Sequence, residues 1–284
     1  MSRHAGHNLS TMNAQCDKLV IMARGLGTRM RRNDHSAQLD DRQAAMADTG
    51  VKALIPIKRP FLDYVLTAAA DAGFRRVCLV LAPEHDLVRD YYGRQLSPRR
   101  LEFSFAVQEE PRGTADAVLA AEPFAGEDEF VVLNSDNYYP SAALQGIRQT
   151  TGCAVALFDW QSMIDGSNIP RQRLRQFSVA KLDAAGLLER ILEKPDDATW
   201  HALPRPLWIG MNCWRFRPSI FRACRSIGLS PRGELELTDA VQHAIDVLGE
   251  RFHAVLVHAP VLDLSSRQDV APIAARLADL EVDL

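Results

Sequence analysis

Apolar positions along this chain fall into two alternating patterns. Short runs rich in apolar and β-branched residues at 18–23, 51–57, 76–82, 101–107 and 130–134 predict strands. Between them, Phe61, Val65 and Ala69 recur beside Leu62 and Leu66, which predicts a helix over 60–72, opened by Pro60 and stopped by Gly73. Strands alternating with helices predict an α/β fold, a mostly parallel sheet with helices on both faces. After residue 150 the order loosens. Strands are predicted at 154–160, 177–182, 207–216 and 253–257, and helices at 218–227, 237–248 and 267–280, giving a mixed second half. No repeat or Gly/Ser-rich joint separates the halves, so 18–284 reads as one domain with halves meeting near 150. Residues 1–17 are polar, have no signal-peptide core and read as a disordered tail in which Met12 is an alternative start. The polar, alanine-rich segment 33–50 reads as a surface loop with a short helix near 42–47.

Composition changes this picture in three ways. With 47% hydrophobic and 24% charged residues, the 284-residue chain is an ordinary globular protein, neither disordered nor fibrous. The charge sum of 33 basic and 36 acidic residues is −3. No global basic field exists to hold nucleic acid or an anionic membrane, so a phosphate ligand must be held locally. The five cysteines form an odd set with no CxxC pair, which predicts reduced thiols and a cytoplasmic location.

Three segments carry candidate chemistry. The run before Gly25 and Gly27 leads into Thr28 and the arginines Arg29, Arg31 and Arg32. Glycines admit an anion close to backbone N–H groups, and arginines add charge-assisted hydrogen bonds. The loop matches neither a Walker loop nor the dinucleotide fingerprint, and alone it equally fits a tight turn with solvated arginines. Asn134-Ser135-Asp136-Asn137 follows a predicted strand, where open α/β sheets bind ligands and an aspartate suits Mg²⁺. Gln108 precedes a turn at Pro111–Gly113 and a helix for which Thr114 is the expected N-cap. Glu193-Lys194-Pro195 and Asp263 are commonplace in isolation, as a surface ion pair and a strand-end acid.

In order along the chain, these segments resemble the sugar-1-phosphate nucleotidyltransferases, the NDP-sugar pyrophosphorylases, which implies a Rossmann-like, glycosyltransferase-A-type mixed sheet with helices on both faces. Gly25-Leu-Gly-Thr-Arg-Met30 looks like the family's Gly-x-Gly-Thr-Arg signature and Lys52-Ala-Leu-Ile-Pro56 like its Lys-Ala-Leu-Leu-Pro element. Gly113-Thr-Ala-Asp-Ala-Val118, the Asp136 segment, Glu193-Lys194-Pro195, Gly233-Glu-Leu-Glu-Leu-Thr-Asp239 and Asp263 follow in family order. The resemblance implies that Gly25, Gly27, Thr28 and Arg29 hold the β and γ phosphates and Lys52 the α phosphate. It implies that Gln108, Gly113 and Thr114 contact the base. Asn134, Glu193, Lys194 and Asn212 would contact the sugar phosphate, and Asp136 and Asp263 would hold Mg²⁺. The implied reaction joins a nucleoside triphosphate and a sugar 1-phosphate into an NDP-sugar with release of pyrophosphate. Such architectures often assemble through their second half, so a homo-oligomer is among the expectations. Two rivals stay open at this point: transfer to a non-sugar phosphate such as a cyclitol phosphate, and a catalytically silent sensor. The chain also departs from the pattern. Arg24 stands where a small residue is usual, Ser135 precedes the metal aspartate, 33–50 is long, and Leu264-Ser-Ser266 replaces Gly-Thr-Pro.

Overall fold

The computed structural model describes residues 16–34 and 36–284, so residues 1–15 of the predicted tail 1–17 lie outside them, while Cys16 is buried and Asp17 accepts from Arg76. In chain order the strands are β1 (Lys18–Met22), β2 (Arg76–Leu81), β3 (Glu102–Val107), β4 (Phe130–Asn134), β5 (Asn137–Tyr138), β6 (Ala154–Asp159), β7 (Ser178–Leu182), β8 (Leu188–Leu192), β9 (Trp208–Phe216), β10 (His253–Val257) and β11 (Leu262–Asp263). The main sheet runs β10-β6-β9-β4-β1-β2-β3, with β7 also pairing β9 and β8 pairing β7. The strands β4-β1-β2-β3 are parallel, as are β6 and β10, whereas β9 lies antiparallel to β4, β6 and β7. The α/β expectation with a mixed second half holds.

Both faces of this sheet are covered because its central strands alternate between two apolar layers. In β1, Leu19 and Ile21 pack with Phe61, Leu62, Val65 and Leu66 of helix Phe61–Ala72. Val20 and Met22 pack on the opposite face with Ala115, Ala117 and Val118 of helix Thr114–Ala120. Each such aliphatic side chain contributes roughly 1.5–3 kcal/mol on burial.

Four expectations are corrected. Residues 51–57 form no strand: Lys52–Leu54 is a 3₁₀ turn, and Pro56 pairs back to Pro60 in an isolated bridge. The apolar residues Ala53, Leu54 and Ile55 are buried by turning inward, since both edges of β1 are already taken by β2 and β4. Gly113, at φ 123°, occupies the N-cap position expected of Thr114, whose Oγ1 instead accepts from Leu237 N at 2.9 Å. The helix predicted over 267–280 divides into a 3₁₀ turn, Arg267–Asp269, and a helix, Val270–Leu277. Within 33–50 the helix Asp41–Thr49 is longer than expected, started by a reciprocal capping box between Asp40 and Gln43.

The carboxyl ends of β1 and β4 are adjacent, with Met22 opposite Asn134. A two-residue antiparallel ladder of β5 with β11 then sets Asp263 opposite Asn137, one residue beyond Asp136.

Candidate active site

A crevice of about 460 Å³ opens beyond those strand ends, within the range of small-molecule sites. Gly25, Gly27, Thr28 and Arg29 line it from the first loop, Lys52 from the 3₁₀ turn, and Gln108, Gly113 and Thr114 from the turn after β3. Asn134, Asp136 and Asn212 complete it, so these predicted residues, up to 187 positions apart (212 − 25), share one cavity. The glycine loop has its shape for two different reasons. Gly27 sits at φ 61° against helix Asp41–Thr49, where an added Cβ would lie 2.1 Å from Gly50 O. Around Gly25 a Cβ would meet nothing within 4 Å, leaving room on the crevice side.

The charged groups are arranged by neighbours distant in sequence. Lys52 Nζ donates to Asp136 Oδ2, a half-buried ion pair at the crevice wall. Arg24 is not a solvated side chain: it is 8% exposed, and its Nε and Nη2 donate to the carbonyls of Gln108 and Glu109 at 3.3 Å. Its Nη1 is buried without a hydrogen-bond partner. His85, beyond the end of β2, also lines the crevice with an unpartnered Nδ1, and burial pushes its pKa down, so the ring is neutral near pH 7. Gln108 Nε2 donates to Gly113 O and Asp116 Oδ2, both at 2.9 Å, pinning the turn.

On the second half, Asn212 Nδ2 donates to Asn134 Oδ1 and Trp214 Nε1 donates to Asn212 Oδ1. Asn212 (φ 52°) and Lys194 (φ 44°) are the two non-glycine residues with positive φ among those described. Such backbone strain gathers where function over-determines it. Glu193 and Lys194 stand outside the crevice lining. Arg232 lies 3.6 Å from Glu193 and also pairs with Glu236. Burial pushes the Glu193 carboxyl up to about 7, Glu236 and Asp239 add to the rise, and Arg232 opposes it.

The donor set was tested against the Mg²⁺ that the resemblance implies. Among the described residues no group of three or more His, Cys, Asp or Glu side chains is placed to hold a metal. Asp136 fits: it lines the crevice, and no described residue donates to its Oδ1. With one carboxylate, the remaining ligands would be phosphate oxygens and water, the coordination Mg²⁺ favours. Asp263 is 4% exposed and fully engaged. Its Oδ1 accepts from Asn137 at 2.8 Å, and its Oδ2 from Arg173 at 2.6 Å and Ser265 at 2.7 Å. Burial and the charge of Asp136 push its pKa upward, against Arg173 and Ser265.

Arg24, identified in sequence only as a departure, proves to be built into the crevice wall. His85 was missed, although its position after a strand end was a usable signal. Arg173 was missed with no signal, since Arg171, Arg173 and Arg175 read as one charged stretch.

A family model described as nucleotidyl transferase matches residues 45–255, and the chain belongs to that family. The glycine loop lies before the matched range. A glucose-1-phosphate thymidylyltransferase of Streptomyces griseus is 32% identical over 230 residues, 81% of this chain and 57% of that protein. The chain thus spans little more than half the length of that relative. UTP-glucose-1-phosphate uridylyltransferase AglF of Haloferax volcanii is 24% identical over 267 residues, 92% of this chain and 96% of the relative. A UDP-glucose pyrophosphorylase solved with UDP-glucose superposes with a TM-score of 0.72 over 94% of this chain and 100% of that one, at 18% identity. That likeness concerns the fold.

Proposed function

We propose that this chain transfers a nucleotidyl group from a nucleoside triphosphate to a sugar 1-phosphate, forming an NDP-sugar and pyrophosphate. The observation that carries the reading is the gathering of Gly25, Arg29, Lys52 and Asp136 at one crevice with Gln108 and Gly113. The names of the relatives support it. An oxygen of the sugar phosphate attacks the α-phosphorus in line, and pyrophosphate leaves from the opposite side, so no protein nucleophile is required. Arg29 meets the departing phosphates. Lys52 exchanges its Asp136 partner for an α-phosphate oxygen and stabilises charge that grows there in the transition state. Asn134 and Asn212 orient the acceptor, and Glu193 accepts from its hydroxyls. Bound Mg²⁺ would supply positive charge beside the triphosphate oxygens, held from the protein by Asp136. The five thiols, all buried and unpaired, support a cytoplasmic setting.

The test is a matrix of nucleoside triphosphates against sugar 1-phosphates, read as pyrophosphate release. Release should require both substrates and divalent cation. Hydrolysis of the nucleotide with no acceptor, or silence across the matrix, would defeat the reading.

A further inference from the structure

We infer that Arg173 is a built-in counter-cation for Asp263, so that this chain offers a divalent cation one available carboxylate, Asp136, while Asp263 acts as a positioning residue. The inference rests on the nucleotidyl-transfer reading. Two carboxylates converge beyond β4, and each already has a cation, but the two pairs are built differently. Lys52 reaches Asp136 as a single flexible ammonium at the crevice wall, able to turn toward a ligand. Arg173 is clamped. Its Nη2 donates to Asp263 at 2.6 Å and its Nη1 to both oxygens of Asp269 at 3.2 Å, and both carboxylates are about 5% exposed. A planar guanidinium held between two buried carboxylates does not swing aside as a lysine does.

The surrounding chain fixes that arrangement. Asn168 Nδ2 donates to Asp263 O and Asp269 Oδ1, and Asn168 Oδ1 accepts from Asp263 N. Asp269 Oδ2 in turn accepts from the backbone N–H groups of Ser265 and Ser266. With its charge neutralised and both oxygens occupied, Asp263 has little to give a metal ion. What it does hold is Asn137. Asn137 Oδ1 accepts from Asn134 Nδ2 at 2.9 Å, and Asn134 Oδ1 accepts from Asn212. A chain of hydrogen bonds therefore runs from Arg173 to the two asparagines that face the crevice, and Asp263 orients them.

The test uses Mn²⁺ alone, added to the full chain without nucleotide, with free Mn²⁺ measured by its electron paramagnetic resonance signal. Asp136→Asn should weaken binding by about tenfold or more, and Asp263→Asn by less than about threefold. Arg173→Gln keeps a donor beside Asp263 and removes the charge, so it should tighten Mn²⁺ binding by about threefold or more, and Arg173→Lys, which keeps the charge and loses the planar clamp, should fall between Arg173→Gln and the parent. The inference is overturned if Asp263→Asn weakens binding as much as Asp136→Asn does. It is equally overturned if Arg173→Gln binds Mn²⁺ no tighter than the parent. Circular dichroism monitors folding; should Asp263→Asn unfold, the Arg173→Gln and Arg173→Lys pair decides by the same criteria. Pyrophosphate release by the parent is measured separately. Its absence would defeat the nucleotidyl-transfer reading, while the Mn²⁺ comparison would still decide the role of Arg173.

Discussion

Arg24 is the residue whose meaning changes most between sequence and structure. Two of its nitrogens are tied to the carbonyls of Gln108 and Glu109, and the third is a buried donor with no protein acceptor. An unmade hydrogen bond there costs about 1–3 kcal/mol, which a bound nucleotide would recover. Arg24→Ala should raise the nucleotide KM about tenfold with kcat within about twofold, the pattern of a contact made equally in ground and transition states. An unchanged KM in steady-state kinetics would leave Nη1 without a ligand. Glu193 makes a prediction about pH. Its carboxyl is raised from 4.5 to about 7, chiefly by burial, so the folded chain binds that proton more tightly than the unfolded chain does. Stability from this group is present at low pH and lost as pH rises through about 7. Melting temperature should fall across that window, and Glu193→Gln should remove most of the fall. The sugar-phosphate KM should move the other way, improving as Glu193 ionises and becomes an acceptor. Parallel trends in both measurements would contradict this assignment.

At the scale of elements, the glycine loop is held by the helix packed against it. Gly27 and Gly50 touch, Arg31 donates through Nε and Nη2 to Thr49 O, and Arg267 joins Asp48 to Met30 O. Helix Asp41–Thr49 with Gly50 is thus a buttress for the loop. Gly27→Ala must hold φ 61° and place a Cβ against Gly50 O, costing roughly 1–2 kcal/mol from backbone strain before the clash is counted. It should melt several degrees below the parent. Gly25→Ala should melt with the parent and yet bind nucleotide weakly, because its Cβ would fill only space open to a ligand. Equal melting temperatures for the two variants would refute this division of labour. The sequence showed only a short helix near 42–47 in a surface loop; the capping pair of Asp40 and Gln43, which acts over three residues, was a usable signal for its longer extent. The helix's contact with Arg267 was not legible, because the two meet from opposite ends of the chain.

For the whole molecule, the distribution of thiols gives a direct check on the core. Cys16, Cys78, Cys153, Cys213 and Cys224 are all buried and unpaired, and burial pushes each thiol well above its ordinary value. The native protein should react negligibly with an aromatic disulfide reagent, and denaturant should release five equivalents. Fast labelling of one thiol in the native state would show that its layer of the core opens.

The central strands were legible because a strand buried on both faces needs a continuous run of apolar and β-branched residues, and such a run is written into neighbouring positions. The same holds for the glycine loop, Lys52, Asp136 and the turn after Gln108, each a motif of a few adjacent positions. Tertiary structure decided the rest. Residues 51–57 are apolar enough for a strand, but no free edge of β1 remains for them, so they fold into a turn that presents Lys52 to Asp136. Asp263 reads as a metal ligand by its place in the motif order, and only the ladder of β5 with β11 and the approach of Arg173, 90 positions away, make it half of a buried ion pair. Local sterics and hydrophobic spacing are properties of a segment. Which cation neutralises which carboxylate depends on strand order and loop packing, and these are set by the whole chain at once.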